Sequence, residues 1–160
     1  LLLWIESKGD SHMSIFNRIL CPIDFDGNSL DALRFARRIA ERDKATLYLL
    51  HVIPPQDPLV MSAPAITEHD EKYARAELQK VSNAELTGVD HEVLVRFGHP
   101  AEEIVAAESE TKAELLVMAT HGRTGVSHFF MGSVAERVVR ESACPVLTVR
   151  MSTHQPSKSN

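Results

Sequence analysis

Apolar residues in this chain fall into five short runs, and four stretches of helical periodicity alternate with them. Arg18-Ile19-Leu20-Cys21-Pro22-Ile23 is the first expected strand, closed by the polar cluster Asp24 to Ser29. Ser29 is the expected cap of the following helix, with Asp31 in its first turn. Leu33, Ala36, Ile39 and Ala40 recur at helical spacing and form its inner stripe. Thr46 to Val52 reads as the second strand. Residues 53–66 then carry Pro54, Pro55, Pro58 and Pro64, which suit a surface loop and neither helix nor central strand. Thr67-x-x-Asp70 is a capping signal. Ala74, Leu78 and Val81 continue a helical stripe, with Tyr73 as a covering residue beside Met61, and Gly88 is a natural stop.

His91 to Arg96 is the third expected strand. Gly98-His99-Pro100 turns the chain, and Pro100 suits a first helical position. Ile104 and Ala107 face inward from that helix, with Glu108 continuing the pattern. Leu115-Leu116-Val117-Met118-Ala119 is unbroken apolar sequence, as expected of a central parallel strand covered on both faces. Ser133 to Glu141 forms the last helix, with Val134, Val138 and Glu141 on one stripe, and Pro145 to Val149 the last strand. Strand–helix alternation of this kind predicts βαβ units and a doubly wound parallel sheet with helices on both faces. Ligands of such sheets sit at the carboxyl ends of strands where the strand order reverses, which directs attention to the segments after strands one and four.

Composition narrows the function classes. With 160 residues, 44% hydrophobic and 24% charged, the chain is sized and composed for one globular core. A net charge of −5 argues against a nucleic-acid partner. The arginines at 34, 37, 38 and 42 are interleaved with Asp31, Glu41 and Asp43 and read as a solvated helix face. Cys21 and Cys144 form no C-x-x-C pair, so no disulfide framework or zinc site is expected and a reducing cytoplasm fits best. The eight histidines include no His-x-His or H-E-x-x-H pair. Leu1 to Ile5 is too short to cross a bilayer, which takes about 20 apolar residues, and lacks a signal peptide's basic start. Ser11-His12-Met13 resembles an expression scar. Residues 1–12 are therefore expected to be a leader or tag, 13–151 the domain, and 152–160 a flexible tail.

The candidate chemistry lies after the fourth strand, in Met118-Ala119-Thr120-His121-Gly122-Arg123-Thr124-Gly125, followed by Gly132-Ser133 at a helix start. Glycines allow close backbone approach, the helix start offers N–H groups and a positive dipole end, and Arg123 adds a fork of donors. Together they suit a phosphate. A glycine-rich loop with a serine cap and no ligand is the alternative. The spacing is neither a Walker A loop nor a G-x-G-x-x-G fingerprint. Val126, Phe129 and Phe130 are expected to pack that loop down. Ser133 lacks the G-x-S-x-G setting of a hydrolase nucleophile. Asp24, just past the first strand, is either a ligand contact or a cap of the next turn.

These stretches resemble the nucleotide-binding universal stress proteins, which carry G-x2-G-x9-G-[ST]; this chain reads Ala119-x2-Gly122-x9-Gly132-Ser133. The likeness extends to Ile19–Asp24, Leu49–Val52, Gly98–Ile104 and Cys144–Val149, spanning about Ile15 to Arg150. It implies a Rossmann-like five-stranded sheet in the order 3-2-1-4-5. It also implies an adenine nucleotide (ATP, ADP or AMP) with Mg²⁺ or Mn²⁺. Asp24 would contact the ribose or the nucleotide-bound metal, with Pro22 and Ile23 shaping the adenine pocket and Leu47 against the base. Met118, Ala119, His121, Gly122 and Arg123 would line the phosphate path, and Gly132, Ser133 and Val134 would hold phosphates. The implied protein is a cytoplasmic regulatory switch, at most a slow ATPase, pairing as a homodimer through its last strand, without membrane or nucleic acid. A branch of the family without the glycine motif implies the alternative, a nucleotide-free interaction or chaperone-like module. Ala119 stands where the motif has glycine. It would cost about 1–2 kcal/mol if that position required a left-handed backbone, and would be tolerated with ordinary dihedrals.

Overall fold

The computed structural model of the chain describes residues 14–55, 68–120 and 131–150. Nine elements alternate along it: β1 (Arg18–Pro22), α1 (Gly27–Asp43), β2 (Thr46–Ile53), α2 (Glu68–Glu85), β3 (His91–Phe97), α3 (Pro100–Thr111), β4 (Leu115–Ala119), α4 (Ser133–Glu141) and β5 (Val146–Val149). The strands form one sheet in the order β3-β2-β1-β4-β5, and each neighbouring pair is parallel. The architecture expected from the alternation is therefore the one observed.

Period-two alternation divides the core into two layers. Ile19, Cys21, Leu47, Leu49, Leu115 and Val117 point to one side, where Leu33, Ala36 and Ala40 of α1 and Leu78 of α2 meet them. Leu20, Leu50, Val52, Leu116 and Met118 point to the other, against Ala101, Ile104 and Ala107 of α3 and Ala135 and Val138 of α4. All five residues of β4 are buried, as a strand covered on both faces requires. No helix among the described residues is long and apolar enough to cross a membrane.

Several local expectations are corrected. α1 starts at Gly27, two residues before Ser29, because the Asp26 carboxylate accepts from the Ser29 amide at 2.7 Å and takes the capping role. Ser29 is buried instead, its hydroxyl donating to the Asp26 carbonyl at 3.0 Å. Tyr73, expected as a covering residue, is 63% exposed. The inner stripe of α4 is Ala135 and Val138, with Val134 half-buried, while Glu141 is exposed and pairs with Arg137. Thr67, Met61 and the loop residues Val126, Phe129 and Phe130 lie outside the described residues.

Glu108 is an acidic residue on an apolar stripe, 5% exposed. Its carboxylate accepts from the amides of Ala143 and Cys144 at 2.9 and 2.8 Å and from the Ser142 hydroxyl at 2.7 Å. One buried charge on α3 thus pins the turn that leads from α4 into β5. Its burial is compensated by three hydrogen bonds, as a buried carboxylate needs.

Candidate functional site

The chain leaves β1 for α1 on one face of the sheet and leaves β4 for α4 on the other. These two strands are neighbours, so their connections part and leave a crevice at their carboxyl ends. A cleft of about 350 Å³ occupies that position. Pro22, Ile23 and Asp24 form its β1 wall, with Ser29 behind them. Met118, Ala119 and Thr120 form the β4 side. Gly132, Ser133, Val134 and Ala135 at the start of α4 line it as well, as do His51, Val52, Pro54, Pro100 and Ile104.

The start of α4 is built for acceptors. Gly132 is the N-cap, with φ −63° and ψ 150°, and offers no capping side chain. Its amide donates to the Thr120 carbonyl at 2.8 Å, which ties the helix start to the end of β4. The first helical bond runs from the Glu136 amide to the Gly132 carbonyl at 2.9 Å. The amides of Ser133, Val134 and Ala135 therefore precede the helical ladder, at the positive end of the helix dipole.

The opposite wall is held by a dense local network. The Ile23 amide donates to the Leu50 carbonyl at 2.8 Å, and the His51 Nδ1 donates to the Ile23 carbonyl at 2.8 Å. The Asp24 amide donates to the Ser29 hydroxyl at 3.3 Å, and the Asp24 Oδ1 accepts from the Asp26 amide at the same distance. Beside this wall, Cys21 is fully buried, and burial pushes its thiol far above the ordinary range. It is not a nucleophile. Among the described residues there is no cluster of three or more His, Cys, Asp or Glu that could hold a metal ion.

The cleft thus gathers Pro22, Ile23, Asp24, Met118, Ala119, Gly132, Ser133 and Val134 from the residues singled out in the sequence. His121, Gly122 and Arg123 lie outside the described residues. Leu47 is not brought to the site. It is the second residue of β2, fully buried in the layer beneath α1 and α2, whereas the cleft opens at the carboxyl end of the strand. His51 and Val52 stand there instead. The signal for them was the rule that parallel sheets bind at carboxyl ends, applied to β2 as well as to β1 and β4. Ala119 is an ordinary strand residue in register with Val149 and is not among the positive-φ residues, so its Cβ carries no left-handed strain.

Comparison with known proteins agrees with this architecture. The sequence profile of the Universal stress protein family matches residues 15–150. The chain is 35% identical over 142 residues to universal stress protein MJ0531 of Methanocaldococcus jannaschii, covering 86% of this chain and 84% of that one. It is 36% identical over 138 residues to a universal stress protein of Thermus aquaticus, covering 85% of this chain and all (100%) of the other. Among solved structures, MJ0577 of Methanocaldococcus jannaschii superimposes with a TM-score of 0.70 at 25% identity, over 85% of this chain and 96% of that one. A universal stress protein solved in complex with cAMP gives 0.64 at 27% identity, over 86% and 99%. With its sheet order, its cleft and its sequence all in agreement, the chain belongs to the universal stress protein family.

Proposed function

We propose that the cleft binds an adenine nucleotide, with ATP carrying Mg²⁺ or Mn²⁺ as the preferred form, and that the protein acts as a nucleotide-dependent regulatory switch. The observation that carries this reading is the pairing of an acceptor-seeking helix start, Gly132–Ser133, with an apolar compartment in one cleft. Val52, Pro54, Pro100, Ile104 and Met118 supply the apolar lining that suits a purine. The amides at the start of α4 suit phosphate oxygens. A volume of about 350 Å³ lies within the roughly 300–1,000 Å³ of small-molecule sites. The relative in complex with cAMP supports the adenine assignment.

The donor set also fits the metal expected with a triphosphate. Mg²⁺ is usually held by one or two carboxylates together with substrate phosphates. Asp24 is the carboxylate lining this cleft, so it would hold the ion or accept from the ribose hydroxyls. When bound, the ion would neutralise phosphate charge. The chain's own residues would bind and orient: the α4 amides the phosphates, Asp24 the ribose or metal, Ile23 and Met118 the base. A ligand of this kind shifts a protein's state only through unequal affinity for two states. The ordinary backbone of Ala119 means that alanine carries no left-handed strain there, which supports the nucleotide reading over a nucleotide-free interaction module.

Titration calorimetry with ATP–Mg²⁺, and with GTP–Mg²⁺ as the comparison, tests the reading. One site per chain with preference for ATP supports it. No heat and no change in melting at millimolar ATP–Mg²⁺ would overturn it.

A further inference from the structure

Three non-glycine residues among those described have a left-handed backbone: Phe25, Lys44 and Lys112. The two lysines are helix C-caps, where that conformation is routine. Phe25, at φ 65°, lies instead in the short connection from β1 to α1, directly after Asp24, which lines the cleft. A bulky residue pays a steric penalty there that glycine or asparagine avoids. Gly27 and Asn28 stand two and three residues further on, yet a phenylalanine occupies the strained position.

The side chain accounts for the choice. The ring is half-buried against the core layer beneath α1. It also lies 4.4 Å from the His51 imidazole, centroid to centroid, with the planes tilted by 42°. His51 lines the cleft, and its Nδ1 bonds to the Ile23 carbonyl. A carbonyl only accepts, so the Nδ1 carries a proton. The Asp24 Oδ1 receives the Asp26 amide, closing a hydrogen bond around Phe25. Among the described residues, the titratable side chains that line the cleft are Asp24, which directly precedes Phe25 in the chain, and His51, which lies against its ring.

We infer that Phe25 is a positioning residue: its left-handed backbone and its ring together hold Asp24 and the Nδ1-protonated His51 in the geometry that receives the nucleotide. This rests on the nucleotide reading above for its functional consequence, but not for its structural one. Strain at a site persists only where surrounding contacts over-determine it, and here those contacts are His51 and the core layer.

The test uses the full chain, labelled with ¹⁵N, in two-bond ¹H–¹⁵N correlation spectra at a pH where the imidazole is neutral. The His51 signals are assigned by their loss in His51→Gln. The wild type is expected to show the Nδ1–H tautomer. Phe25→Gly relieves the backbone and removes the ring, so its His51 should become a mixture of tautomers. Phe25→Tyr keeps the ring and should behave as the wild type. ATP–Mg²⁺ affinity should fall at least about tenfold in Phe25→Gly, the scale of one lost hydrogen bond to a charged group, and recover in Phe25→Tyr. Should Phe25→Gly fail to fold, Phe25→Leu provides the same tautomer comparison with most of the apolar volume kept.

A wild-type tautomer retained in the folded variant lacking the ring would overturn the inference. So would a changed tautomer with unchanged affinity in a protein that binds ATP. A wild type that binds no nucleotide would instead defeat the functional reading, while the tautomer comparison would still decide what Phe25 does.

Discussion

Replacing Gly132 by valine perturbs the proposed phosphate end of the cleft while leaving the backbone unstrained. The residue has φ −63° and ψ 150°, which any L residue adopts, so Gly132→Val is expected to fold. Its own amide bond to the Thr120 carbonyl is retained. A β-branched residue is a poorer N-cap than glycine, which lowers stability of the free protein by about 1 kcal/mol. The ligand loses more. Side-chain bulk in front of the amides of Ser133 and Val134 displaces an anion from two donors, each worth about 1.5–3 kcal/mol when the acceptor is charged. The affinity for ATP–Mg²⁺ should therefore fall by roughly two to four orders of magnitude. In thermal melting, ligand at about 100 times Kd stabilises the wild type by about 2.7 kcal/mol, a rise of roughly 5–15 °C for a domain of this size. That rise should vanish in Gly132→Val, while Gly132→Ala retains a smaller one. A full ligand-induced rise in Gly132→Val would refute the assignment of the α4 start to phosphate.

Three further outcomes follow from the structure. Glu108→Ala strips the buried acceptor from Ser142, Ala143 and Cys144 and should cost about 3 kcal/mol in urea unfolding, against about 1 kcal/mol for Glu108→Gln, which retains an acceptor; equal costs would contradict the clamp. Asp43 is buried, and the Arg42 hydrogen bond, joined by the amides of Phe16 and Ile15 and opposed by desolvation, lowers its carboxyl to about 2. The unfolded chain then binds the extra proton first. This contribution is present above about pH 4 and is lost as pH falls towards 2, so Asp43→Asn should flatten the fall of the urea midpoint across that window. β5 ends the sheet with its four residues half-buried, an edge open to pairing across a twofold axis, so sedimentation at tens of micromolar should show a dimer, and a monomer would contradict pairing through that strand.

Much of this was legible in the sequence because the relevant signals are local. The unbroken run Leu115–Ala119 announced a strand covered on both faces, and Pro100 marked a helix start to the residue. Gly132-Ser133 marked another. Ser29 reads as the cap of α1 because serine is a common N-cap, and spacing alone does not show which side chain reaches a free amide. Asp26 won over Ser29 because its carboxylate reaches the Ser29 amide, a matter of a single bend at Phe25. Position along a strand decides which residues reach the cleft: Leu47, implied by the family resemblance, is near the start of β2, whereas His51 and Val52 lie at its carboxyl end. The role of Glu108 was hidden for another reason. Its partners are 34 to 36 residues away, beyond any periodicity, and only the packing of α3 against the end of α4 brings them together.

Whether the cleft between β1 and β4 holds an adenine nucleotide can be decided by purifying the protein without added ligand, denaturing it, and identifying the released small molecules by mass spectrometry. An adenine nucleotide approaching one per chain is expected, either as purified or after incubation with ATP–Mg²⁺. A protein that releases none and takes up none would contradict it.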